Sequence, residues 1–374
     1  MTFRFLSALL CSLTLAQPAI SADNVVLITI DGVRWQEAFT GISAELANHE
    51  EYSSAPELLM QRFWHDDPAR RARLLMPFLH NTVMQQGTVI GDQQRGSCAV
   101  LTNNWNFSYP GYNEILSGVV NDAINSNAAT PNPEKTILEL LNSHPAFAGR
   151  MAAFASWDVF PAIYNVERSG IPVNTGLAEQ PANEFEQTLN TLHEDVSPHW
   201  PTVRHDAFTH HYALSWLRRT QSRLVHIAYG EPDDFAHEGD YDDYILATRR
   251  VDDFIAEVWN TLQGLDHYRN NTAILVTVDH GRGEQPLDAW LHHASQRAVQ
   301  GYMTALATDY PQGIIGSEHI WIAAMGPGVP ARGLVRTEDC VGANRIAATL
   351  LQWLGEDYQR YNPAMGEPIT ELLP

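Results

Sequence analysis

Two hydrophobic periods alternate along this chain. Short, nearly unbroken apolar runs recur at "NVVLITID" (ending at Asp31), "RMAAFASWD" (Asp158), "RLVHIAYGEPD" (Asp233), "AILVTVDH" (His280) and "HIWIAAMGPG" (beginning at His319). Runs this short and this apolar predict strands buried on both faces. Between them the apolar spacing lengthens to three and four. It does so at Ile137, Leu138, Leu140 and Leu141 of "PEKTILELLNS", and at Ile245, Val251, Phe254, Ile255, Val258 and Leu262 of "DYILATRRVDDFIAEVWNTLQGL". That spacing is helical. Alternating strands and helices predict an α/β fold, a mostly parallel central sheet with helices on both faces. The stretch from about Arg168 to His205 is polar and rich in Pro and Asn, and predicts surface loops forming a small loop-rich cap. With no internal repeat or low-complexity linker, residues 23–374 read as a single domain.

The polar residues that end these runs are unevenly chosen. In open α/β sheets, ligands gather outside the carboxyl ends of the strands. Asp31, Asp158, Asp233 and Asp279 are therefore expected on one rim, although for any one of them alone capping the next helix is the simpler explanation. In "EPDDFAHEGDY", Asp233 and His237 are four residues apart and share one helical face. "VTVDHGRG" sets Asp279 and His280 at a strand end, and His319 opens the last apolar run. Asp and His together suit zinc and related divalent ions. Asp266-His267 has no strand leading into it, so the dipeptide alone carries little weight. His210, His211, His292 and His293 read as structural or exposed.

Charge narrows the partners. The chain has 44 acidic against 23 Lys and Arg residues, a formal net charge of −21. Such a surface argues against nucleic acid and anionic membranes, and requires a local positive centre for any anionic substrate. Lys135 is the sole lysine, which excludes a P-loop and argues against Schiff-base chemistry. "MTFRFLSALLCSLTLAQPAISADN" has a basic start, an apolar run and small residues near Ala22, the pattern of a signal peptide over residues 1–22. The apolar run is short for a membrane span. A periplasmic or secreted protein without a membrane anchor is expected. Cys98 and Cys340 would survive processing, and an oxidising compartment permits a disulfide whose existence the sequence leaves open.

The stretch "NWNFSYPGYNEILSG" places Ser108 at a corner beside Pro110 and Gly111, where a turn is expected and a hydroxyl can be presented. Taken in order, Asp31, the Ser108 corner, Asp233-x-x-x-His237, Asp279-His280-Gly281 and the late His319 resemble the alkaline phosphatase superfamily. They are nearest in style to its nucleotide pyrophosphatase/phosphodiesterase and related phosphatase branches. The resemblance spans most of the chain. It implies two divalent metal ions, zinc with manganese as the alternative. Asp233, His237 and His319 would hold one, and Asp31, Asp279 and His280 the other. Ser108 would attack phosphorus, and water would hydrolyse the phosphoserine.

There are departures and open positions. The diesterase corner reads Thr-Phe-Pro-Asn-His, whereas here it is "SYPGY", with Gly111 where Asn stands. Sulfatase relatives need a Cys-x-Pro-type corner, and Cys98 is followed by "AVLT". Arg282 offers a fork to phosphate oxygens or a partner to a surface carboxylate. Asn127 is the candidate amide donor, with Asn121 and Asn125 competing. Trp35 reads as packing and Glu114 as a local cap or pair. Tyr109, Thr102 and Ser117 are the other hydroxyls near the corner. The expected function is an exported phosphatase or phosphodiesterase acting on small phosphate esters. A phosphomutase of the same superfamily and a non-catalytic metal-binding protein are the competing classes. The Ser108–Asp233 gap is short for the large domain that the mutases insert.

Overall fold

The computed structural model describes residues 21–176 and 180–374, so residues 1–20 of the expected signal peptide lie outside the described residues. In chain order the strands are β1 (Asn24–Ile30), β2 (Gly87–Ile90), β3 (Ala99–Val100), β4 (Met151–Ala155), β5 (Val173–Asn174), β6 (Leu224–Tyr229), β7 (Thr272–Val278), β8 (His319–Ile320), β9 (Ile322–Met325), β10 (Gly333–Leu334) and β11 (Val341–Gly342). Eight of them form one sheet in the order β10-β2-β9-β7-β1-β6-β4-β5. β1 runs parallel to both β6 and β7, and β4 parallel to β6, whereas β9 is antiparallel to β7 and β2. Every residue of β1, β4, β6 and β7 is buried, which is why these runs show no polar alternation.

The last predicted strand divides in two. β8 leaves for a separate three-stranded sheet, β11-β3-β8, while β9 joins the main one. Trp321 lies between them and donates from Nε1 to Val33 O at 3.0 Å, pinning the break to the loop after β1. Cys98 and Cys340 flank β3 and β11 and form a disulfide, Cα to Cα 4.5 Å, which answers the question that spacing left open.

Helix Tyr241–Gly264 buries the three-and-four stripe of Ile245, Val251, Ile255, Val258 and Leu262. The polar stretch expected to be loops contains a twelve-residue helix, Glu184–Asp195, capped by the Asn183 side chain. Its buried face is short, Glu186, Leu189, Asn190 and His193, and too polar to register as an apolar period. Among the described residues, no helix is long and apolar enough to cross a membrane. Beside the main core, Trp105, Phe107, Ala289, Ala294, Ala298, Val299, Tyr310 and Ile314 form a second apolar cluster. It fastens segment 289–314 onto the chain just before Ser108.

Candidate metal centre and nucleophile corner

Sheet register builds the rim. Ile30 is level with Val278 of β7 and with Tyr229 of β6, so the residues after these strands emerge together. Asp31 follows β1, and Asp279 and His280 follow β7. Past β6, Gly230 leads into helix Glu231–Glu238, which carries Asp233 in its first turn and His237 in its last. The buried Asp206 carboxylate accepts from Gly230 N at 2.8 Å and Glu231 N at 3.2 Å, capping that helix. Gly32 has φ +63°, and a Cβ there would lie 2.6 Å from Asp233 Oδ1; only glycine lets the β1 turn approach this closely. Asp158, expected on the same rim, is exposed and does not join the cluster; its backbone N–H bonds to Thr202 O instead.

His280 is the hub. Its Nε2 lies 3.2 Å from Asp31 Oδ1, 3.5 Å from Asp279 Oδ2 and 3.8 Å from Asp233 Oδ1. Its Nδ1 faces Gly281 O at 2.9 Å, which requires Nδ1–H and turns Nε2 toward the acids. His293 stacks on this ring with centroids 3.7 Å apart. His293 Nε2 lies 3.7 Å from Asp233 Oδ1 and 2.9 Å from His237 Nε2, and its Nδ1 faces Asn106 O at 3.3 Å. His237 Nε2 is also 3.2 Å from Asp233 Oδ2.

Two sets of ligand atoms each fall within 4.8 Å of one another: Asp31, Asp279 and His280, and Asp233, His280 and His293. Asp31 Oδ1 and Asp279 Oδ2 are buried and lack hydrogen-bond partners among the described residues. Burial and then the neighbouring Asp233 charge raise the Asp31 carboxyl, and burial and then Asp31 raise Asp279 well above the carboxylate range. Burial pushes Asp233 up as well, but His237, Arg282 and His293 outweigh it and hold this carboxyl well below its ordinary value. Burial would lower His280, yet Asp279, Asp31 and Asp233 lift it to about 9. Crowded carboxylates with orphaned oxygens and imidazole Nε2 atoms turned inward are a donor set that fits divalent cations, which would take the place of the proton that the acids now hold on His280.

Ser108 opens helix Ser108–Ser117 with its Oγ 3.4 Å from His280 Nε2. The other hydroxyls of the corner are occupied: Tyr109 OH donates to Thr130 O, Thr102 Oγ1 to Glu114, and Ser117 Oγ to Asn113 O. Glu114 is a buried acceptor for the backbone of Thr102, Asn103 and Asn344. Gly111, the departure from the diesterase corner, packs on Asp279. A Cβ there would lie 2.2 Å from Asp279 O, so this helix approaches the ligand strand too closely for any side chain at that position.

The structure gathers Asp31, Asp233, His237, Asp279, His280 and Ser108, but not His319. His319 Nδ1 is 2.9 Å from Glu284 Oε1 and its Nε2 3.7 Å from Glu318, so both ring nitrogens face acids outside the cluster. Glu284 also accepts from the buried Trp35 Nε1. His293, read from sequence as structural or exposed, stands in the cluster instead. No strand or helical period leads into it; its place is set by the second apolar cluster. Arg282 is neither a surface partner nor an open fork. It is buried, paired with Asp233, and donates from Nε to Trp290 O at 2.7 Å. Asn127 Oδ1 accepts from Tyr109 N at 3.0 Å, which sets its carboxamide beside Ser108, whereas Asn121 is paired with Glu134.

No protein-family model and no curated protein matches this sequence. Solved structures do. Alkaline phosphatase PafA superposes with TM-score 0.59 at 11% identity, over 95% of this chain and 99% of that one. A protein in the alkaline phosphatase superfamily from Vibrio parahaemolyticus gives 0.55 at 14%, over 95% and 71%. A 2-O GAG sulfatase, BT1596, gives 0.51 at 11%, over 94% and 72%. The chain thus has the fold of the alkaline phosphatase superfamily, the architecture that its ordered motifs resemble.

Proposed function

We propose that this protein is an exported two-metal hydrolase of phosphate esters that works through a phosphoserine on Ser108. The observation that carries the reading is the placement of Ser108 Oγ at a helix start, 3.4 Å from the histidine shared by both ligand groups. Asp31, Asp279 and His280 would hold one cation, and Asp233, His237 and His293 the other. Zinc suits this mixture of carboxylate and imidazole. Bound divalent ions would supply positive charge for phosphate oxygens and lower the pKa of an adjacent hydroxyl. The protein's own contribution is orientation. The first helical turn, Tyr109-Pro110-Gly111, fixes Ser108, and Asn127, held by Tyr109 N, would offer its amide to a phosphate oxygen. Arg282 neutralises Asp233 rather than gripping substrate. The ester P–O bond breaks as the Ser108 Oγ–P bond forms, and water then cleaves the phosphoserine.

Phosphate is favoured over sulfate because the corner residue is Ser108, while Cys98 is tied to Cys340. The disulfide and the leader-like residues 1–22 support export. The test is hydrolysis of p-nitrophenyl phosphate, bis-p-nitrophenyl phosphate and p-nitrophenyl sulfate by the zinc-loaded protein, with and without EDTA. EDTA-sensitive hydrolysis of a phosphate ester is expected, and whichever ester is faster identifies a monoesterase or diesterase. Sulfate as the preferred substrate, or no EDTA-sensitive hydrolysis, would overturn the reading.

A further inference from the structure

Helix Glu231–Glu238 carries Asp233 and His237 on one side and is gripped on the other by a single stretch of chain. At about 100° per residue, Glu231, Phe235 and Glu238 share one face, and Asp233 and His237 share the opposite one. All three residues of the first face meet residues 199–206, which close the polar stretch expected to be surface loop. At the C-terminal end, Trp200 Nε1 donates to Glu238 Oε1 at 2.9 Å, and His199 Nε2 lies 3.0 Å from Glu238 Oε2. In the middle, the Trp200 ring packs edge-on against Phe235 with centroids 4.7 Å apart. At the N-terminal end, His205 Nδ1 lies 2.7 Å from Glu231 Oε1, and Asp206 caps the helix at Gly230 N and Glu231 N.

The stretch is itself anchored to the sheet. Past the end of β4, Ser156 O accepts from Arg204 N at 3.0 Å, Asp158 N donates to Thr202 O at 2.9 Å, and Trp157 bridges to Val203. Ser156 Oγ donates to Asp206 Oδ1 at 2.6 Å. From helix Tyr241–Gly264, Arg250 Nη2 donates to the second oxygen of Glu231 at 2.8 Å. The grip is graded along its length. Asp206 and Glu231 are buried, and hydrogen bonds to buried carboxylates are costly to break. The His199 and Glu238 side chains are 48% and 45% exposed, where an ion pair holds weakly and the Trp200 contacts carry the end.

We propose that residues 199–206 act as a strap that positions helix Glu231–Glu238 and so sets the affinity of one cation, that of Asp233, His237 and His293. The proposal rests on the two-metal reading. Its effect is selective. Among the described hydrogen bonds and ring contacts, none joins the strap to Asp31, Asp279, His280 or Ser108, so the other cation and the nucleophile corner are held independently of it. Trp200, His205 and Asp206 meet no reacting atom; they are positioning residues.

The test combines zinc affinity, measured by competition with a chromophoric chelator, with amide hydrogen exchange of the metal-free protein. Trp200→Ala removes both the ring and its N–H donor. Glu238→Ala removes the acceptor at an exposed position, and decides the matter if the first variant fails to fold. The wild type should bind two zinc ions. Each variant should keep one at wild-type affinity and bind the other at least about 10-fold more weakly, the lower range for an outer partner of a ligand. Amides 235–239 should exchange faster in both. Two ions at wild-type affinity, or an equal loss at both, would overturn the strap while leaving the two-metal reading intact. A wild-type protein that takes up fewer than two zinc ions would overturn both.

Discussion

Three histidines near the rim differ in what their ring nitrogens face, and under the two-metal proposal that difference separates their roles. His280 and His293 each turn Nδ1 to a backbone carbonyl, Gly281 O and Asn106 O, and present Nε2 to the acids. A carbonyl that fixes the tautomer is the usual support for a metal-binding imidazole. His319 instead holds Glu284 on one nitrogen and faces Glu318 with the other. Burial would lower its pKa, but these two acids raise it. His293→Ala should therefore weaken zinc binding by at least about 10- to 100-fold, and His319→Ala should leave zinc stoichiometry unchanged. Zinc titration of both variants checks this; the opposite order would return His319 to the centre and remove His293.

At the scale of elements, the site depends on close approach. The helix starting at Ser108 lies against the end of β7 because Gly111 has no side chain, so Gly111→Ala should push Ser108, the proposed nucleophile, off Asp279. A shift near 1 Å can cost about 100-fold in rate. We expect kcat to fall by at least about 10-fold while the protein still folds, and wild-type kcat would show that the contact is slack. Farther away, Asp252 on helix Tyr241–Gly264 anchors segment 78–79, accepting from Phe78 N at 2.7 Å and Leu79 N at 3.0 Å. Burial raises its pKa from 3.8 to about 7. Between these values the folded state keeps a proton that the unfolded state has lost, so this group's contribution to stability falls as pH rises from about 4 to about 7. Asp252→Asn should flatten that part of the melting-temperature profile, and an unchanged slope would contradict the assignment. The strands were legible because both of their faces are buried, and Asp31, Asp233, Asp279 and His280 because they follow such runs. β2 is too short to stand out, and helix Glu184–Asp195 buries too little apolar surface to show a period.

Across the whole molecule, long-range closures decide what local pattern cannot. His293 enters the Asp/His cluster because Trp105 and Phe107 pack against Ala289, Ala294 and Tyr310, contacts between distant segments that no local periodicity encodes. The disulfide is another such closure, joining residues 242 apart in sequence. In the chain-entropy account a loop of that length contributes about 5 kcal/mol. The Cys98→Ser, Cys340→Ser double variant should lose stability of that order in denaturant unfolding, and an unchanged midpoint would show that the bond adds nothing. The fold order and most of the rim could thus be read from sequence, whereas the choice between His293 and His319 required the packed structure. In the proposed mechanism Ser108 is the group that attacks phosphorus. The most direct test is to quench the zinc-loaded protein in acid during turnover of a phosphate ester and map the bound phosphate by peptide mass spectrometry. Phosphate on Ser108, absent from Ser108→Ala and from protein stripped with EDTA, is the predicted result; turnover with no phosphoserine, or with phosphate on another residue, would contradict it.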